Sequence, residues 1–132
     1  MLGPEHPDVA TSLNNLAELY RVQGKYGEAE PLHQRSLAIR EKALGPEHPR
    51  VATSLNNLAL LYHAQGKYGE AEPLYKRALA ILEKALGAEH PNVAAGLENY
   101  ADLLRRAGRG TEAKEMEARA KVILAKHARA NP

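Results

Sequence analysis

Gly3-Pro4-Glu5-His6-Pro7 returns as Gly45-Pro46-Glu47-His48-Pro49 and again as Gly87-Ala88-Glu89-His90-Pro91, forty-two residues apart each time. A fixed period of this length marks a repeat architecture. It divides a single domain, 1–132, into units 3–44, 45–86 and 87–128. The first two units differ at only eight positions: 8/50, 18/60, 21/63, 22/64, 33/75, 34/76, 36/78 and 40/82. The third has drifted much further. No linker or low-complexity run separates them.

Inside one unit the apolar residues recur at helical spacing. Val9, Leu13, Leu16, Ala17 and Tyr20 form one stripe. Ala29, Leu32, Ser36, Ile39 and Ala43, with Leu37 alongside, form a second. The first helix is expected to enter at His6-Pro7, where a proline loses nothing by lacking its N–H. It should stop near Gln23-Gly24, since glycine accepts the left-handed conformation that closes many helices. Gly45-Pro46 should end the second helix. Pro31 is expected in about the first turn of that helix, because a deeper proline costs about 3 kcal/mol. Neither amphipathic helix can bury its apolar face alone, and stacking against the neighbouring pair removes the difficulty. The sequence therefore predicts an all-α solenoid of six helices. Ala17, Ala29, Ala59, Ala71, Ala101 and Ala113 are predicted at helix crossings, where a small side chain permits close approach.

Composition agrees. Charged residues make up 26% of the chain and apolar residues 44%, ordinary values for a folded protein. Trp, Phe and Cys are absent, so the core is built from aliphatic residues, alanine and six Tyr. Without cysteine there is no disulfide, thiolate metal site or cysteine nucleophile. The start, Met1-Leu2-Gly3-Pro4, lacks a basic segment followed by an apolar one, and no run approaches a membrane span. A soluble, cytoplasmic chain with no membrane partner is expected.

The residues Leu13, Leu16, Ala17, Tyr20, Gly24, Lys25, Tyr26 and Ala29 together resemble the tetratricopeptide repeat signature. The run from Leu13 to Leu32, Leu-Asn-Asn-Leu-Ala-x-Leu-Tyr-x-x-Gln-Gly-Lys-Tyr-x-Glu-Ala-Glu-Pro-Leu, resembles the kinesin light chain class of these repeats. The Leu-Gly-x-Glu-His-Pro-x-Val-Ala connector is similar to the same class. The resemblance implies a right-handed superhelix of three helix-turn-helix units and a scaffold for another protein, not a motor subunit as such. The third unit departs from the pattern at Leu104, Gly110 and Lys121. Its last helix carries one thin apolar stripe and an outward polar face, as a degenerate C-terminal cap requires. The first unit has no such cap. The missing cap fits a piece of a longer array. The near-identity of units one and two fits recent duplication or design equally well, and a whole protein stays open.

By resemblance, the first helix of each unit lines a concave groove that holds a protein or peptide ligand. The groove positions implied are Thr11, Asn14, Asn15, Glu18, Arg21 and Val22; Thr53, Asn56, Asn57, Leu60, His63 and Ala64; and Ala95, Glu98, Asn99, Asp102, Arg105 and Arg106. They share a helical stripe off the core stripe. Asn14 and Asn56 are expected to face the groove, their amides offering donors and an acceptor to a peptide backbone. For Asn15, Asn57 and Asn99 two roles stay open, peptide binding or bonding between helices. Arg21, His63, Arg105 and Arg106 suggest a basic edge able to read a carboxylate, blunted by Glu18, Glu98 and Asp102.

Catalysis is not expected. His6, His48 and His90 occupy one connector position in successive units, too far apart to converge on a metal, and read as helix-entry residues. Gly24-Lys25-Tyr26-Gly27 lacks the spacing of a phosphate loop. No cofactor is implied. The segment from Arg105 to the end holds eight Lys or Arg against three Glu, but the groove has no stacking aromatics, so nucleic acid is not the expected ligand. The alternative function is self-association. An uncapped first repeat exposes the face that later repeats bury, and two copies could pair N-terminus to N-terminus as a homodimer or exchange repeats.

Overall fold

The computed structural model describes residues 3–130. Six helices run in order: α1 (Pro7–Val22), α2 (Tyr26–Leu44), α3 (Pro49–Ala64), α4 (Tyr68–Leu86), α5 (Pro91–Arg106) and α6 (Gly110–Ala130). No strand occurs among the described residues. Each odd helix packs most extensively on the even helix that follows, and α2 and α4 bridge to the next pair. The result is an all-α stack of three helix pairs, the solenoid the repeat period predicts.

The connector histidines are helix caps. Nδ1 of His6, His48 and His90 accepts the backbone N–H of Asp8, Arg50 and Asn92 at 3.1, 3.1 and 3.0 Å. Each satisfies one of the unpaired donors at a helix start, and the proline after it takes the first helical position. At the far end of α1, Gly24 adopts φ +77°. Lys25 N–H then reaches Tyr20 O at 2.8 Å and Gly24 N–H reaches Arg21 O at 3.0 Å, the paired bonds of a Schellman closure. Gly66 and Gly108 close α3 and α5 in the same way. Pro31 lies deeper than expected, at the sixth residue of α2, in its second turn. The N–H it lacks is the one that would reach the carbonyl of Gly27.

All six crossing alanines are buried. The main core gathers Val51, Leu55, Tyr75, Ile81, Val93, Leu97, Leu103 and Leu104 around the second and third pairs. Leu104, which stands where the earlier units have Tyr20 and Tyr62, is fully buried, and a tyrosine reappears one turn earlier as buried Tyr100. Three equivalent ion pairs tie each even helix to its own connector: Lys42–Glu5 at 2.7 Å, Lys84–Glu47 at 2.6 Å and Lys126–Glu89 at 2.5 Å. All are exposed, so each contributes about 0.2–1 kcal/mol at most.

The first pair departs from the others. Leu19 is 53% exposed, whereas Leu61 and Leu103, forty-two and eighty-four residues later, are 0% and 1% exposed. Leu16 (40%) is also exposed where Leu58 is buried. The amphipathic pattern is the same in both units. What differs is the presence of a preceding helix pair to cover it.

Candidate functional site

The stripe shared by α1, α3 and α5 holds every groove position named above, in three different situations. Thr11, Asn15, Val22, Thr53, Ala64, Ala95, Glu98, Asp102, Arg105 and Arg106 are exposed. Glu18, Arg21, Asn56, Asn57, Leu60, His63 and Asn99 are half-buried. Asn14 is 9% exposed, against the expectation that it faces the groove, and the exposed asparagine of the first unit is Asn15. The reason is a bond between units: Asn57 Nδ2 donates to Asn14 Oδ1 at 2.8 Å, joining α3 to α1. One position of each Asn-Asn pair thus helps to hold the stack while its neighbour in the first unit stays free.

Below the asparagines, the same three positions recur in every unit, and in the first they close into a triangle. In the first, Glu18 sits 3.1 Å from Arg21 and 3.1 Å from Nε2 of His33, which reaches across from α2. In the second the equivalent residues are Leu60, His63 and Tyr75, with His63 Nδ1 3.4 Å from the Tyr75 hydroxyl. In the third they are Asp102, Arg105 and Glu117: Arg105 donates to Glu117 at 2.7 Å, while Asp102 pairs with Arg106 instead. Adjacent sets also touch, since His63 Nε2 lies 3.4 Å from Asp102. The members substitute as sets: a salt-bridged acid with a histidine, then an apolar residue with a tyrosine, then an acid with a base. His33, Tyr75 and Glu117 were not anticipated as site residues. The signal for the first two was present, because 18/60, 21/63 and 33/75 are three of the eight differences between otherwise matching units.

The electrostatics follow from this pairing. The proposed basic edge is neutralised from within: Arg21 by Glu18, Arg105 by Glu117 and Arg106 by Asp102 at 3.3 Å. Burial pushes the His33 pKa below its ordinary value, opposed by the Glu18 charge. Its ring is fully buried, and although Nε2 lies close to Glu18 Oε1, neither ring nitrogen makes a well-aligned hydrogen bond. Burial also lowers His63, helped by Arg106 and opposed by Asp102. Burial raises the Tyr75 hydroxyl well above the ordinary phenol range. At the third pair, Arg109 bonds Glu72 at 2.8 Å and Glu112 at 2.6 Å, and Tyr100 donates to Glu72. Those bonds, the arginine's first, hold the Glu72 carboxyl below its usual range.

No group of three or more His, Cys, Asp or Glu side chains among the described residues is placed to hold a metal. No helix among them is long and apolar enough to cross a membrane. What the row offers chemically is a line of amide, hydroxyl and paired charged groups at the spacing of stacked helices.

Comparison with known proteins places this geometry. The profile described as "Tetratricopeptide repeat" matches residues 8–84 and 61–121. No curated protein sequence matches. Among solved structures, BtubC (BKLC) from P. vanneervenii is 30% identical with a TM-score of 0.88, over 97% of this chain and 51% of that one. A putative kinesin light chain from Podosopora anserina, described as having nearly identical TPR-like repeats, is 35% identical with a TM-score of 0.80, over 96% of this chain and 60% of that one. The TPR domain of Arabidopsis FLU shares the fold at a TM-score of 0.77 and 16% identity, over 89% of this chain and 95% of that one. The chain thus spans about half to three fifths of the first two.

Proposed function

Because this chain belongs to the tetratricopeptide repeat family, with repeats of the kinesin-light-chain-like kind, we propose that it binds an extended segment of a partner protein along the row of α1, α3 and α5. Tetratricopeptide repeats generally mediate protein–protein interaction, and the fold is typically a scaffold without enzymatic activity. The observation that carries the finer reading is the distribution of change. Three of the eight differences between units one and two form a single triangle beside this row, while the caps, crossing alanines and connector ion pairs stay fixed. The frame is constant and the face of the first helices varies. Free amides at Asn15 and Asn99, the Leu60 side chain and the paired charges around Glu18, Arg21, His63, Asp102 and Arg105 supply contacts for both a peptide backbone and its side chains. The test is selection of binders from a displayed library of random peptides. Affinities are then measured for the parent, for an Asn15→Ala/Asn99→Ala variant and for Arg35→Ala, whose exposed side chain lies on α2. Loss of about tenfold in the asparagine variant alone supports the reading. Equal binding by all three proteins excludes it.

A second reading rests on Leu16 and Leu19, exposed where their counterparts are buried. A second copy of the chain would cover the two faces symmetrically, N-terminal pair to N-terminal pair. Light scattering over a hundredfold range of concentration decides it. A mass that stays at twice the 14.4 kDa of one chain supports the dimer, and a mass of one chain throughout excludes it.

A further inference from the structure

The two junctions between units are built from equivalent residues but are filled differently. At the first, the buried Arg40 side chain runs up from α2 between α1 and α3. Its Nη1 donates to Ser54 Oγ at 2.9 Å and to Arg50 O at 3.3 Å, and its Nη2 donates to Thr11 Oγ1 at 3.3 Å. None of these acceptors is a carboxylate. At the second junction Leu82 stands in place of Arg40 and Gly96 in place of Ser54. A cleft of about 270 Å³ opens there between α3 and α5, lined by Thr53, Asn56, Asn92 and Asn99 above Leu82 and Gly96. Thr53 is the counterpart of Thr11 and Asn92 that of Arg50, so a hydroxyl and a first-turn carbonyl of the first junction recur. The asparagine bond does not recur. Asn14 Oδ1 accepts from Asn57, but Asn56 Oδ1 is buried with no partner. Such an acceptor carries a desolvation cost of about 1–3 kcal/mol until a donor reaches it.

We propose that this cleft is a receptor for an arginine side chain of the bound partner segment, which takes in trans the place that Arg40 takes in cis. This rests on the groove reading above and gives it a chemical preference. A guanidinium is the group already accommodated at the equivalent junction, and its several donors match the acceptors that the second junction leaves open. The charge environment is also better there. Burial and the neighbouring Arg50 both disfavour the Arg40 cation, and at the second junction the arginine at that position is the neutral Asn92. Gly96 lets the leucines of α4 pack closely against α5 beneath the cleft. A Cβ at that position would lie 2.9 Å from Leu79 Cδ2 and 3.9 Å from Leu82 Cδ1.

The experiment is a nitrogen-15 NMR titration with acetyl-Gly-Arg-Gly-amide, with the norleucine tripeptide as the donor-free control. Saturable shifts of the Asn56 and Asn99 side-chain amides with the arginine peptide, absent with norleucine, are expected. Leu82→Arg, which fills the cleft in cis, should weaken the interaction by at least about tenfold, the loss of one charge-assisted hydrogen bond. Should that variant not fold, Asn56→Leu removes the unpaired acceptor and should give the same loss. No saturable shift at Asn56 and Asn99, equal shifts with norleucine, or undiminished binding by the folded variant overturns the proposal. Shifts confined to Glu98 and Asp102 overturn the cleft while leaving the groove reading intact.

Discussion

Leucine at three equivalent positions offers a test of the stacking argument within one molecule. Leu19, Leu61 and Leu103 share a register in the repeat, but the first is about half exposed and the others are buried. Truncation of each to alanine removes three carbons, a transfer loss of about 2.4 kcal/mol for a fully buried side chain. At Leu61 and Leu103 a cavity is added, because the surrounding helices relax only in part, and the total should be about 3–4 kcal/mol. At Leu19 roughly half the transfer applies and no closed cavity forms, so the cost should be about 1 kcal/mol. Urea unfolding followed by circular dichroism at 222 nm reads this directly. With a slope of about 2 kcal/mol/M, the midpoint should fall by about 1.5–2 M for Leu61→Ala and Leu103→Ala and by about 0.5 M for Leu19→Ala. The experiment belongs at low micromolar protein, where a weak dimer dissociates. Equal losses at Leu19 and Leu61 would mean that the α1 face is covered after all. A loss of less than 1 kcal/mol at Leu61 would refute the claim that inter-unit burial holds the stack.

The three recurring positions should behave as sets. Glu18→Leu alone leaves Arg21 unpaired and a buried His33 without its carboxylate, a cost of about 1–3 kcal/mol. Adding Arg21→His and His33→Tyr rebuilds the second unit's set, and thermal melts should show most of that loss recovered as a coupling of about 0.5–3 kcal/mol. The folded pKa values of His33 and His63 lie below their ordinary 6.5, so the unfolded chain binds protons more readily. Their contribution is therefore present above pH 6.5 and is lost as pH falls through 6.5 toward the folded values. The melting temperature should drop across that window, and a His33→Gln/His63→Gln variant should flatten the slope. The window must stay above about pH 5, since Glu72 and other carboxylates dominate lower down. Finally, Ala59→Leu places a bulky side chain at a fully buried crossing and should cost about 1–3 kcal/mol by overpacking, read as a lower melting temperature.

The repeat period made most of the architecture legible. Glycine, proline and the 3.6-residue stripe are local signals, and they located the helix starts and stops, the histidine caps and the crossing alanines. The burial of individual positions was less legible, because it depends on neighbours that a periodic pattern does not name. Leu19 and Leu61 look identical in the sequence, and only the stack distinguishes them. The same holds for Asn14, whose amide is drawn inward by Asn57 of the next unit. Pro31 was placed one turn too early because nothing local marks the start of α2, where Lys25 makes no side-chain cap. The cross-helix set was hidden for a different reason. His33 and Tyr75 lie on the second helix of their units, and a stripe drawn along the first helix cannot include them. Comparison of the two near-identical units, read as coupled changes instead of scattered ones, contained that information. Buried Arg40 was similarly visible only as one of the eight differences, with no hint that its guanidinium fills a junction left partly open forty-two residues later.

The groove claim is tested most directly by mapping where a selected peptide sits. Backbone nitrogen-15 resonances of all six helices should be followed during titration with the tightest binder from the displayed library. The account predicts saturating shifts concentrated in α1, α3 and α5, running through Asn15, Leu60, Asn99 and Asp102, with the outer faces of α2, α4 and α6 unmoved. Shifts concentrated on the outer faces of α2 and α4, or on the exposed Leu16 and Leu19 alone, would contradict it.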